Sequence, residues 1–173
     1  MQTDHHKDAD FTSADAVSVA RSGSFRLDMP ADRAFPLFTG PGEKLWVPGW
    51  NPVILAGDGL EKGSVFVTTA QSHKTFWMVM NFDTEERHAL YARMTPEIDT
   101  GTVEVRVASD GGEGTLVEVS YRLTALSEEG NERLRDAFGE PEYAKMMRDW
   151  RRLICESRDR IEDHFNRPAE TEH

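Results

Sequence analysis

Apolar side chains recur at helical spacing near the end of the chain: Tyr143, Met146, Met147, Trp150, Leu153, Ile154, Ile161 and Phe165. At about 100° per residue all of them fall within roughly 60° of Trp150, whereas Glu142, Lys145, Arg148, Arg152 and Asp159 point away. The pattern predicts an amphipathic helix from Pro141 to Phe165, about 37 Å long at 1.5 Å per residue. Ahead of it, Ser127 supplies an N-cap with acidic residues in the first turn, and Leu134 and Phe138 continue the apolar side. Gly139 predicts a kink or break, and Pro141 stands where a helix can restart. So long a helix needs a broad partner surface.

The middle of the chain supplies one. Val17 to Met29 alternates loosely and predicts a first strand, with Gly23 hinting at a bulge or bend. Ala34 to Phe38 reads as a one- or two-turn helix and Glu43 to Trp46 as a second short turn, followed by the Pro- and Gly-rich loop Trp46 to Pro52. From Val53 onward, β-rich runs follow one another: Val53 to Ala56, Val65 to Ala70, Thr75 to Asp83, Ala89 to Thr95, Thr102 to Ser109 and Leu116 to Leu126. Turn residues separate them, which predicts an antiparallel meander. Val103, Val105 and Val107, and then Val117, Val119, Tyr121 and Leu123, alternate with polar residues, so one face points inward. The run Thr75 to Phe82 is apolar on both faces, with Phe76, Met78, Met80 and Phe82 opposite Trp77 and Val79. An exposed patch of that kind invites association, and homodimer contact is the hypothesis it raises.

Composition narrows the partners. The chain has 173 residues and a net charge of −11, which argues against nucleic acid or an anionic membrane as a main partner. No stretch approaches the ~18 apolar residues of a membrane span, so stable membrane insertion is not expected. The single Cys155 lies off the apolar stripe and forms no internal disulfide, which fits a reducing, cytoplasmic setting. Residues 1–16, with His5 and His6, and 166–173 read as polar tails around one domain, 17–165. His73 and His88 have no second His or Cys at ligand spacing, and neither a metal nor a cofactor is expected. No Ser-His-Asp order, phosphate loop or CxxC is present.

Strand, two short helices, meander and long C-terminal helix is the order of an α+β helix-grip fold, a curved antiparallel sheet of about seven strands around the helix. Pro30-Ala-Asp-Arg-Ala-Phe-Pro-Leu-Phe-Thr, Trp46-Val-Pro-Gly-Trp-Asn-Pro, Gly63-Ser-Val-Phe, Tyr91-Ala-Arg-Met-Thr-Pro and Tyr121-Arg-Leu-Thr-Ala-Leu-Ser resemble the START-related superfamily that includes polyketide cyclases, often called SRPBCC. The resemblance spans Val17 to Phe165. It implies an apolar tunnel between sheet and helix, and a superfamily of lipid and sterol carriers, hormone receptors, aromatase/cyclases and co-chaperone-like proteins. Fold alone does not choose among these.

The tunnel walls are expected from Trp77, Val79, Tyr91, Arg93, Val105, Val119, Tyr121, Met147, Trp150 and Ile154, with Trp46 and Trp50 at its mouth or anchoring the loop. Arg93 shares a strand face with Tyr91, and facing inward it needs an anionic or carbonyl partner; at the sheet edge it would pair with a carboxylate such as Glu104. Glu97 and Asp99 are assigned to a loop. The inward groups that could move a proton are Tyr91, Tyr121, Arg93 and Asn81, none a strong base, so no catalytic residue is assigned. The expectation is a small hydrophobic molecule bound in the cavity, with a cyclase or dehydratase activity there as the alternative and a protein-interaction role as the third reading.

Overall fold

The structure is a computed structural model that describes residues 10–168; the outer parts of the predicted tails, including His5 and His6, lie outside the described residues. Seven strands form one antiparallel sheet in the order β1-β7-β6-β5-β4-β3-β2. They are β1 (Ser18–Leu27), β2 (Val53–Ala56), β3 (Val65–Ala70), β4 (His73–Asp83), β5 (His88–Thr95), β6 (Asp99–Ser109) and β7 (Thr115–Ala125). Between β1 and β2 come α1 (Ala31–Ala34), a 3-10 turn (Phe35–Phe38) and α2 (Gly40–Glu43); after β7 come α3 (Glu128–Ala137), α4 (Glu140–Glu156) and α5 (Arg158–Asn166). This is the helix-grip arrangement, with strand alternation presenting Val103, Val105, Val107, Val117, Val119 and Leu123 to the core.

The helical region is divided twice. Ser127 caps α3 by accepting from the Gly130 amide, and the chain breaks at Phe138 and Gly139 as expected. A second interruption falls at Ser157, whose φ of −94° and ψ of 9° leave the helical well. The single helix expected from Pro141 to Phe165 is therefore two, though the Ile161 amide still reaches the Ser157 carbonyl at 3.0 Å. Ser157 sits in the apolar stripe, where a small polar side chain packs poorly enough to let the ladder yield. Buried Asn131 of α3 receives the Val17 amide on its Oδ1 and donates to the Asp15 carbonyl, tying α3 to the start of β1.

Two local expectations fail for steric reasons. Gly23 makes no bulge, since β1 pairs continuously with β7 from Ser18↔Thr124 to Leu27↔Thr115. It is instead the place where α4 presses on the strand: a Cβ there would lie 2.8 Å from Met147 Cγ. The bulge is in β4, where the register shifts between Val79 and Asn81. The extra residue turns Phe82 inward, to stack on Phe35 at 5.0 Å, and turns Asn81 away to pair with His88. Asn81 thus leaves the set of inward groups, while Met78, Met80 and Met94 remain exposed on the outer face.

Candidate functional site

The segment after the 3-10 turn is pegged down by its own polar groups. Thr39 Oγ1 donates to the Pro36 carbonyl at 2.8 Å and accepts from the Gly42 amide at 2.9 Å. The Trp46 indole N–H donates to the Leu37 carbonyl and that of Trp50 to the Gly40 carbonyl, both at 2.8 Å. Gly42 has no room for a side chain, since a Cβ would sit 1.8 Å from the Pro36 oxygen. The short turn expected at Glu43 to Trp46 forms, with the Trp46 and Val47 amides on the Glu43 carbonyl at 3.2 and 2.8 Å, and a helical turn over Gly40–Glu43 precedes it, capped by Thr39 and opened by Pro41. Glu43 ends that turn.

Glu43 lines a hollow of about 20 Å³ between the sheet and α4, together with Phe38, Thr39, Gly40, Trp50, Phe66, Trp77, Tyr91, Val103, Val105, Tyr121 and Trp150. That volume holds about one water-sized group, so the broad tunnel implied by the resemblance is closed in this conformation. Aromatic rings close it. Trp150 stacks on Phe38 at 6.3 Å and meets Trp46 edge-on at 5.4 Å, while Trp77 stacks on Phe66 at 5.9 Å and meets Trp50 edge-on at 5.8 Å.

The chemistry in the hollow is polar at one place. Burial pushes the Glu43 carboxyl from the ordinary value near 4.5 up to about 8. Its carboxyl forms no hydrogen bond or ion pair among the described residues, and burial is the one cause of the shift. Tyr91 donates its hydroxyl to the Phe38 carbonyl at 2.9 Å. Burial first, and then the neighbouring Glu43, push the Tyr91 phenol far up. Burial also raises Tyr121, against the pull of Arg93. Both phenols stay protonated near neutrality.

The residues expected from the sequence separate into four sets. Trp77, Tyr91, Val105, Tyr121, Trp150 and Trp50 line the hollow. Val79, Val119, Met147 and Ile154 are buried in the surrounding core, Met147 against β1 and Ile154 toward Leu27 and Ile161. Trp46 is 2% exposed and serves as an anchor beneath Trp150. Arg93 faces inward, with its guanidinium 5.3 Å over the Trp77 ring, but lies outside the lining and pairs with Asp99 at 3.2 Å. Glu104 instead pairs with His88 and Arg106. Asp99 belongs to β6, not to a loop, because the chain reverses within Pro96–Ile98 and Thr95 pairs with Asp99. No group of His, Cys, Asp and Glu among the described residues is arranged to hold a metal.

Glu43 escaped the sequence reading, although a signal for it exists. Glu43, Trp46, Val47 and Trp50 stand at helical spacing, so a carboxylate shares an apolar face. No helix among the described residues is long and apolar enough to cross a membrane.

No family model and no curated protein matches this chain. Solved structures do. Norcoclaurine synthase from Thalictrum flavum, in complex with dopamine and hydroxybenzaldehyde, superposes with a TM-score of 0.59 at 16% identity over 82% of this chain and 88% of that one. Ara h 8.0201 gives 0.55 at 14% identity over 81% and 99%. A protein from Nitrosospira multiformis gives 0.60 at 14% identity over 81% and 99%. At these identities the likeness is one of fold, and it shows that this chain has the helix-grip fold that the START-like sequence pattern implied.

Proposed function

We propose that this protein binds a small, largely apolar molecule, aromatic or lipid-like, in the cytoplasm. The ligand's polar end sits in the hollow beside Glu43 and its body lies at the mouth against Trp50. The observation that carries this reading is the unpartnered Glu43 carboxyl inside an aromatic-walled hollow. Glu43 is half-buried and its carboxyl has no partner among the described residues, so a polar group of a ligand in the hollow supplies the hydrogen bond that the fold does not. The hollow takes a head group as it stands. A larger ligand requires the Trp50 indole to leave the Gly40 carbonyl and the rings to part. Apolar contact supplies about 25 cal/mol per Å² of area removed from water, and the carboxyl fixes orientation. The aromatic molecules held by norcoclaurine synthase support the reading by fold analogy.

Titration with fatty acids, quinones and aromatic polyketides tests it through the fluorescence of Trp50, Trp77 and Trp150. A saturable change accompanied by a thermal shift is expected; flat signals across the panel overturn it. Native mass spectrometry of freshly purified protein identifies any molecule carried along.

A second reading, a cyclase or dehydratase working in the same hollow, is favoured by the same carboxyl. With its pKa near 8, Glu43 holds its proton at neutrality and can give it to a carbonyl or hydroxyl oxygen. Turnover of a poly-β-ketone mimic that vanishes in Glu43→Gln supports it, and equal turnover in the variant removes it. The exposed Met78, Met80 and Met94 support the homodimer hypothesis. A monomer in sedimentation at high concentration ends that part.

A further inference from the structure

We propose that the head group selected by the hollow is a cation, an ammonium carried on an aromatic or short apolar body and held by Glu43 among the ring faces. This rests on the binding reading above and adds the ligand's charge to it.

The lining is one-sided in chemistry. Most of it is aromatic, Glu43 is its sole carboxyl, and none of its residues is basic. The cation next to it on the inner face, Arg93, is already occupied by Asp99 at 3.2 Å and by the Trp77 ring. Ring faces carry negative potential and attract cations most strongly where water is excluded. An ionised Glu43 adds a full charge of the same sign, so an anionic head group is repelled twice. Size agrees: about 20 Å³ accommodates a group as small as a water molecule, and a primary ammonium is such a group. The net charge of −11 raises the local concentration of cations around the whole molecule at low ionic strength.

The proton gives the proposal its signature. In the empty protein Glu43 is mostly protonated near pH 7, since burial alone sets its pKa at about 8. An arriving ammonium favours the carboxylate, so binding drives the proton off. The titratable groups facing Glu43 are the hydroxyls of Tyr91 on β5 and Tyr121 on β7, both held protonated, and beyond Tyr121 the Arg93–Asp99 pair. From α4 the facing side chain is Trp150, which does not titrate. Proton release is therefore assignable to Glu43.

Isothermal titration of the full chain near pH 7, in phosphate and in HEPES, tests this with two matched pairs: 2-phenylethylamine against 2-phenylethanol, and tryptamine against tryptophol. At least one amine is expected to bind roughly tenfold tighter than its alcohol, with roughly one proton released per site, read from the enthalpy difference between buffers. Glu43→Gln, checked for fold by circular dichroism, is expected to lose that preference and the proton release. An alcohol that binds as tightly as its amine, with no proton released, overturns the cation and leaves the binding reading standing. Failure of both amines to saturate at about 5 mM overturns the cation as well; the neutral panel then judges the binding reading separately. An amine preference that survives in Glu43→Gln places the cation elsewhere and also overturns the proposal.

Discussion

Asp99 and Glu43 are two carboxylates turned into the same interior, and the protein treats them oppositely. Asp99, 5% exposed, opens β6 and meets the Arg93 guanidinium at the end of the sheet. Glu43 closes a one-turn helix and meets aromatic carbon. The first is neutralised by a partner within the fold; the second keeps a proton in place of one. A buried acid that the chain itself satisfies is explained by architecture, whereas a half-buried one left unpaired at the edge of an aromatic hollow points outside the chain.

The contrast breaks most visibly at Asp99. Asp99→Ala strands Arg93, whose Nε is buried and already without a partner, and is expected to cost about 3 to 4 kcal/mol in urea denaturation. Adding Arg93→Met should restore much of that loss. A single variant as stable as the parent would show the pair to be dispensable. Next in size is Trp150→Ala, expected to cost about 2 to 3 kcal/mol by removing the roof over the hollow. It should also let water reach Glu43, so that the carboxyl titrates nearer its ordinary value; an unchanged titration would mean that Trp150 does not shield it.

Glu43 itself gives a slope, not a step. Between about 4.5 and 8 the folded chain keeps a proton on Glu43 that the unfolded chain has lost. Its contribution to stability is therefore complete below that window and disappears as pH rises through it, by at most ~1.4 kcal/mol per pH unit. Water entering the hollow reduces this figure. Glu43→Gln should flatten the slope, seen as a parent-minus-variant difference in denaturation midpoints that falls as pH rises from about 4.5 to 8. A constant difference would place the carboxyl in water. Smallest is Tyr121→Phe, whose hydroxyl makes no hydrogen bond among the described residues; stability should change by no more than about 0.5 kcal/mol. A larger loss would reveal a partner for that hydroxyl.

How much of this could be read from sequence depended on whether a signal was periodic. The strands and the amphipathic helix repeat at two and 3.6 residues over long runs, so valine alternation from Val103 to Val107 and the stripe around Trp150 were legible. Single-residue events were not. The bulge at Met80 inverts Phe82 and Asn81 without altering composition, and Ser157 interrupts a pattern that otherwise continues. Asp99 looked like loop because Asp-Thr-Gly has poor strand propensity, which the pairing of β5 with β6 overrides. Strand parity puts Arg93 on the face of Tyr91 without deciding between interior and sheet edge, and the partner that decides it, Asp99, comes from that strand end. Glu43 was hidden by length: a four-residue turn is too short for its apolar face to register.

Gly42 turns the placement of one carboxylate into a matter of a missing methyl group. Because the backbone of residue 42 rests directly against the Pro36 oxygen, any larger residue must push the turn outward and carry the Glu43 side chain with it. A Gly42→Ala chain would keep every side chain that faces the hollow and still misaim the acid. The tuning of this interior is thus exercised from the backbone next door, at a position that touches no ligand.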